Sequence, residues 1–163
     1  MNQVDIRMKQ ASDYATTYES NAMNKQEKLW LGLRICNGVV SNLVGLRTPL
    51  FCGHKLTYNC NLKCKMCPFW KRSTSDLSLE NEKTILSRIY DSGVCGIAFE
   101  GGEPLLRKDL PEILEYARSL PLQTSLIRNG TLLESRIDEI AKYVNGGIYV
   151  SIDGSEKTHD DIR

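Results

Sequence analysis

Two rhythms of apolar and polar positions alternate along this chain: short apolar runs, and longer stretches where apolar residues recur every three or four positions. Val94-Cys95-Gly96-Ile97-Ala98-Phe99 carries no charge, the pattern of a parallel strand buried on both faces. Leu122-Gln123-Thr124-Ser125-Leu126-Ile127 and Ile148-Tyr149-Val150-Ser151-Ile152 predict two further strands, and Lys55-Leu56-Thr57-Tyr58 a short one ahead of them. Between the runs the period becomes helical. Leu79, Leu86, Ile89 and Tyr90 share one face, with Ser78 as N-cap, Glu80 and Glu82 in the first turn, and Gly93 at the end. Ile113, Leu114, Ala117 and Leu120 make a second face, capped by Asp109 and stopped at Pro121. Ile137, Ile140, Ala141 and Val144 make a third, followed by Gly146-Gly147, and Asp160-Asp161-Ile162-Arg163 reads as the opening of a fourth helix.

Strands alternating with helices at this spacing predict an α/β protein of βα units on a parallel sheet. Right-handed crossovers then bring the C-terminal end of every strand to one face, where the βα loops of such barrels carry chemistry.

The first half of the N-terminal region behaves differently. Residues 1 to about 28 are polar without sustained periodicity, a weakly ordered extension or a marginal surface helix. From Leu29 to Leu50 the chain turns apolar, with Trp30, Leu33, Val39, Val40, Leu43, Val44 and Leu46 between Arg34 and Arg47 or just outside them. Its most apolar part, between Arg34 and Arg47, is only about a dozen residues, too short for the ~20 a membrane span needs. It reads as a helix packed under the barrel, in preference to an interfacial segment lying on a membrane; Asn37, Gly38 and Asn42 argue against one long helix. Residues 1–50 are therefore read as an extension with a helical preamble, and residues 51–163 as the core domain.

Composition narrows the function. A chain of 163 residues with net charge +1 and interspersed charges carries no basic stripe of the kind nucleic acid requires. The first residues are polar and lack the apolar core of a secretion signal. Six cysteines in such a chain point to metal binding in a reducing cytoplasm rather than to disulfides. Cys36, Cys52 and Cys95 stand apart and are expected to be buried apolar residues. His54 and His159 lack ligand-like spacing and are read as structural.

Cys60, Cys64 and Cys67 form a C-x3-C-x2-C cluster in the loop after the first strand. Three thiolates within eight residues can converge on one centre, and soft thiolates select iron–sulfur clusters, zinc or copper(I). A closed zinc site or an ordinary cubane takes four protein ligands; three leave one metal position open. The later strands also end in unusual polar residues: Glu100-Gly101-Gly102-Glu103-Pro104, then Arg128-Asn129-Gly130, then Ser151-Ile152-Asp153-Gly154.

C-x3-C-x2-C ahead of a βα pattern, with Gly101-Gly102-Glu103-Pro104 after the second strand, resembles the radical S-adenosylmethionine (radical SAM) enzymes. The resemblance covers residues 51 to 163, the N-terminal part of that family's core domain. It implies a partial (β/α) TIM-type barrel, with four of six βα units present and the domain incomplete at the C-terminus. It implies that Cys60, Cys64 and Cys67 hold three irons of a [4Fe-4S] cluster, and that S-adenosylmethionine chelates the fourth. Gly101, Gly102 and Glu103 would receive the methionine ammonium, since glycines bare backbone carbonyls and a carboxylate suits a cation. Ser151 and Asp153 would face the ribose or the methionine carboxylate. Met66 stands where the family carries an aromatic side chain beside the adenine, and Asn129 where it has Thr-Asn-Gly, here preceded by Arg128.

The reaction implied is reductive cleavage of S-adenosylmethionine to a 5′-deoxyadenosyl radical, which abstracts hydrogen from a peptide or small-molecule substrate. No residue is assigned as an acid, base or nucleophile. A flavodoxin- or ferredoxin-type donor is the implied partner, with Lys63, Lys65, Lys71 and Arg72 around the loop, and a cytoplasmic, anaerobic setting follows. The rival reading is a non-catalytic iron–sulfur or zinc module with Cys52 or Cys95 as fourth ligand. Cys52 precedes the first strand and Cys95 lies early in the second, which places both at the wrong end of the sheet.

Overall fold

The computed structural model describes residues 23–72 and 74–163; the polar stretch before Met23 lies outside them. A 19-residue helix, α1 (Lys25–Leu43), comes first. Four parallel strands follow, β1 (Phe51–Thr57), β2 (Gly96–Gly101), β3 (Gln123–Arg128) and β4 (Gly147–Val150), in the spatial order β1-β2-β3-β4. Helices α2 (Leu79–Asp91), α3 (Leu110–Ser119) and α4 (Leu133–Ile140) link them in turn, and α5 (Glu156–Ile162) follows β4. This is the predicted α/β alternation, laid out as an open sector of a barrel.

The core lies between the sheet and its helices. Ile97 and Phe99 of β2 and Leu126 of β3 are fully buried against Leu86, Leu110, Ile113 and Leu114, each contributing roughly 1.5–3 kcal/mol of burial. Phe99 stands beside Leu126 in register, so the apolar positions of neighbouring strands share one face. Alternate positions, among them Lys55, Glu100 and Ile127, fall on the other face.

Strand limits move where pairing overrides hydropathy. β1 starts at Phe51, four residues before the expected Lys55, because its backbone pairs with β2 from Phe51↔Gly96 onward, through the mixed stretch Cys52-Gly53-His54. β2 runs two residues further, into Glu100-Gly101, and β4 stops at Val150, opposite the last residue of β3. Ser78 caps α2 as expected, accepting from the Asn81 amide at 3.3 Å, and Gly93 ends it with φ +97°. Asp109 does not cap α3. Its carboxylate is drawn instead to Arg107, at 2.9 and 2.7 Å, a stronger partner than a helix-end amide.

α1 departs most from expectation. Asn37, Gly38 and Asn42 lie inside one continuous helix. The Asn42 amide donates to the Gly38 and Thr48 carbonyls and accepts from the Thr48 amide, so it fastens the helix end instead of breaking it. The helix does lie against the N-terminal ends of the strands, but with its polar side. Leu50's side chain fills the space a Cβ on Gly38 would take, while most of the apolar residues face outward. Cys36, expected to be buried, is exposed for the same reason; Cys52 is half-buried and Cys95 buried. No helix among the described residues is long and apolar enough to cross a membrane.

Candidate functional site

The C-terminal ends of the strands enclose a cleft of about 250 Å³. Cys60, Cys64 and Cys67 line it, together with Met66, Gly101, Gly102, Asn129 and Ser151. Eight of the ten residues singled out in the sequence thus come together, from four different strand ends. Glu103 and Asp153 do not line it.

The cysteine loop is shaped by backbone contacts. The Cys67 amide donates to the Cys64 carbonyl at 3.2 Å, closing a turn, and the Trp70 indole donates to the same carbonyl at 3.3 Å. Cys64 is buried, while Cys60 and Cys67 are half-buried. The Leu62 amide donates to Cys60 Sγ at 3.4 Å, and burial pushes the Cys60 thiol above its ordinary pKa. Among the described residues no three Cys, His, Asp or Glu side chains lie close enough to share a single ion. Cys52 lies five residues before the end of β1, about 16 Å along the strand, and Cys95 precedes β2. Neither can serve as a fourth ligand.

The glycine pair sets the cleft's floor. The Gly102 amide donates to the Thr57 carbonyl and the Glu103 amide to the Asn59 carbonyl, both at 2.8 Å, joining the second loop to the start of the first. A Cβ on Gly102 would collide with the Asn59 carbonyl and stand 2.7 Å from that of Tyr58; one on Gly101 would stand 2.5 Å from the Thr57 carbonyl. Only glycine permits this approach of backbone to backbone.

Glu103 is fully buried beneath the floor. Its Oε1 accepts from the Leu105 amide at 3.1 Å and its Oε2 from the Asn129 amide at 2.8 Å, tying the second loop to the third. The side chain expected to meet a ligand cation is engaged in holding two loops. Asn129 is engaged too: its amide donates to Asn61 Oδ1 at 2.9 Å and its oxygen accepts from Thr131. Asp153 accepts from Arg163 Nε at 2.6 Å. Ser151, by contrast, bonds through its backbone amide to the Arg128 carbonyl, and its side chain has no partner among the described residues. Met66 is exposed at the cleft mouth.

Several residues here were not anticipated. Lys55 and Glu100 line the cleft as a 3.3 Å pair, and Lys55 also lies 4.1 Å over the Phe69 ring. Their alternation with Leu56 and Phe99 was the available signal. Arg163 lines it from α5, whose Ile162 carbonyl accepts from the Lys65 amide at 2.8 Å. Arg107 is buried below and braces the whole floor. It donates to the Leu56 carbonyl at 2.9 Å, to Glu82 at 2.8 Å and to the Leu77 carbonyl at 2.8 Å, besides Asp109. His54 joins this network through Glu82 at 2.7 Å, and His159 accepts from the Asp153 amide; both have the structural roles expected. No sequence signal marked Arg107, since all its partners but Asp109 lie 25 to 51 positions away.

An open parallel sheet whose first loop brings three cysteines to a cleft at the strand ends defines an α/β protein with its candidate site on that rim. The Radical SAM superfamily matches residues 55–163, and the chain belongs to it. Fe-coproporphyrin III synthase of Methanosarcina barkeri is 36% identical over 112 residues, 66% of this chain and 28% of that protein. PqqA peptide cyclase of Rhodopseudomonas palustris is 35% identical over 126 residues, 75% of this chain and 33% of the relative. Streptococcus suis SuiB bound to S-adenosylmethionine shares the fold, with TM-score 0.62 and 24% identity over 70% of this chain and 28% of its own. The chain therefore spans about a third or less of the proteins it resembles, as a partial barrel does.

Proposed function

We propose that this chain supplies the cluster- and cosubstrate-binding part of a radical SAM catalytic domain. The observation that carries the reading is the convergence of Cys60, Cys64 and Cys67 on the same cleft as Gly101, Gly102 and Ser151, with no fourth thiol within reach. The three thiolates would each hold one iron of a [4Fe-4S] cluster, leaving the fourth iron for the amino and carboxylate groups of S-adenosylmethionine. Such a cluster, when bound, would supply the one-electron chemistry that cleaves S-adenosylmethionine to methionine and a 5′-deoxyadenosyl radical for hydrogen abstraction.

The chain's own residues do the holding. The Gly101–Gly102 backbone offers carbonyls to the methionine ammonium, with Glu103 behind it as support. Ser151 offers a hydroxyl and Asn129 an amide to the ribose or carboxylate, and the Met66 thioether packs on the adenine. Asp153 acts through lone pairs that Arg163 leaves free. One named relative is a peptide cyclase and another an Fe-coproporphyrin III synthase, which supports a peptide or a small molecule as the hydrogen donor. Lys63 and Lys71, beside Trp70, and Arg72, over Tyr58 and Phe69, form a basic rim for an acidic flavodoxin- or ferredoxin-type electron donor.

Anaerobic reconstitution tests this. Four irons and four sulfides per chain are expected, with an absorption spectrum that changes on adding S-adenosylmethionine and release of 5′-deoxyadenosine under dithionite. A stoichiometric zinc site indifferent to S-adenosylmethionine would refute it.

A further inference from the structure

Helix α1 is built inside out. Toward the barrel it turns Glu27, Arg34 and Gly38. Arg34 Nη2 donates to the Tyr90 and Val94 carbonyls at 2.7 and 3.0 Å, and its guanidinium lies 4.1 Å over the Tyr90 ring. Glu27 pairs with Arg118 at 2.7 Å. Charge, hydrogen bonds and a glycine contact hold this helix to the body, not apolar burial. Away from the body, Leu29, Trp30, Leu33, Val40, Leu43 and Val44 are 55% to 80% exposed, and Leu46 continues the surface beyond the helix.

The breadth and charge of this surface say what covers it. At 3.6 residues per turn the exposed apolar positions, from Ile35 and Val39 through Leu29 and Leu43 to Val44 and Trp30, sweep about 220° of the helix. A partner helix would need only a narrow seam; an arc this wide is matched by a fluid apolar phase. Glu27 is the one acid between Asn24 and Leu50, and it is turned inward to Arg118. The exposed charged side chains on this surface are Lys25 and Lys28, within the arc at its N-terminal end, and Arg47 beyond its C-terminal end, all basic and without an ion pair among the described residues.

We propose that α1 docks the protein on an anionic phospholipid surface. The apolar arc enters the boundary between headgroups and acyl chains, Lys25, Lys28 and Arg47 meet lipid phosphates, and the barrel takes the place of the polar side of an amphipathic helix. α1 rests on Thr48, Leu50, Gly93 and Val94, all ahead of their strands. The docked face is therefore opposite the cysteine loop, and the cleft stays open to water. The inference stands apart from the radical SAM chemistry.

The test is sedimentation of the protein with phosphatidylcholine vesicles, with and without phosphatidylglycerol. Binding is expected on the anionic vesicles, with a blue shift of Trp30 emission taken as the difference from Trp30→Phe protein. Leu33→Glu and Val40→Glu, both at exposed positions, should abolish it, and neutralising Lys25, Lys28 and Arg47 to Gln should weaken it roughly fivefold per charge. No partition onto anionic vesicles would overturn the proposal. So would a concentration-dependent dimer that Leu33→Glu dissolves, which assigns the face to a second copy. Trp30 emission already blue-shifted and shielded from quencher without lipid would assign it to the chain itself, and also overturns the proposal.

Discussion

Replacing Glu103 should damage the fold before it damages cosubstrate binding. The side chain is fully buried, and its two oxygens are the acceptors for the Leu105 and Asn129 amides at 3.1 and 2.8 Å. Glu103→Ala strips both amides of their partner, and each buried unsatisfied group costs about 1–3 kcal/mol. The sum, roughly 2–6 kcal/mol, is a large share of the ~5–15 kcal/mol by which a domain is stable. Glu103→Gln keeps the volume and one acceptor but turns an amide NH2 toward one of the two donors. It should fall between, at about 1.5–3 kcal/mol, the value of one charge-assisted bond. Urea unfolding of the cluster-free protein measures the loss, and hydrogen exchange at Asn129 reports the freed amide directly. A residue whose sole task is to bind the methionine ammonium would leave both readings unchanged and weaken S-adenosylmethionine alone. An unaltered unfolding midpoint with a still-protected Asn129 amide would refute the reasoning.

Gly102→Ala should force the second loop away from Asn59 and break the two 2.8 Å bonds at the cleft floor; a loss of about 2–4 kcal/mol and poor iron retention are expected in unfolding and iron assays. Alanine at Cys60, Cys64 or Cys67 should leave a labile cluster, while alanine at Cys36, Cys52 or Cys95 should not, as iron and sulfide counts after anaerobic purification will show. Arg107 holds the Asp109 carboxyl below the usual aspartate range, so the unfolded chain takes up that proton first. The stabilisation is present above the ordinary aspartate pKa and is lost as pH falls through and below it; urea midpoints measured from about pH 6 down to about pH 3 should fall, with a shallower slope in Asp109→Asn.

What could be read from the sequence is what short-range chemistry dictates. Periodicity set the order of strands and helices because each element must bury one face, and the parallel topology then delivered the strand ends to one side. The cysteine triplet and the glycine pair were legible because their meaning lies in local spacing and in the absence of a Cβ. Residues whose role depends on a distant partner were not legible. Asp109 reads as a helix cap until Arg107 is placed beside it. That Glu103 also accepts from the Asn129 amide of the next loop, and Asp153 from Arg163, could not be read from their own neighbourhoods in the chain. α1 is the clearest case. Its apolar run predicts burial, and the hydrophobic effect, being non-directional, does not say which side of a helix meets its own body. That choice fell to Arg34, whose guanidinium found the Tyr90 and Val94 carbonyls at the end of α2. Those acceptors exist only once the sheet and its helices have folded, so only the tertiary structure could turn the apolar side outward.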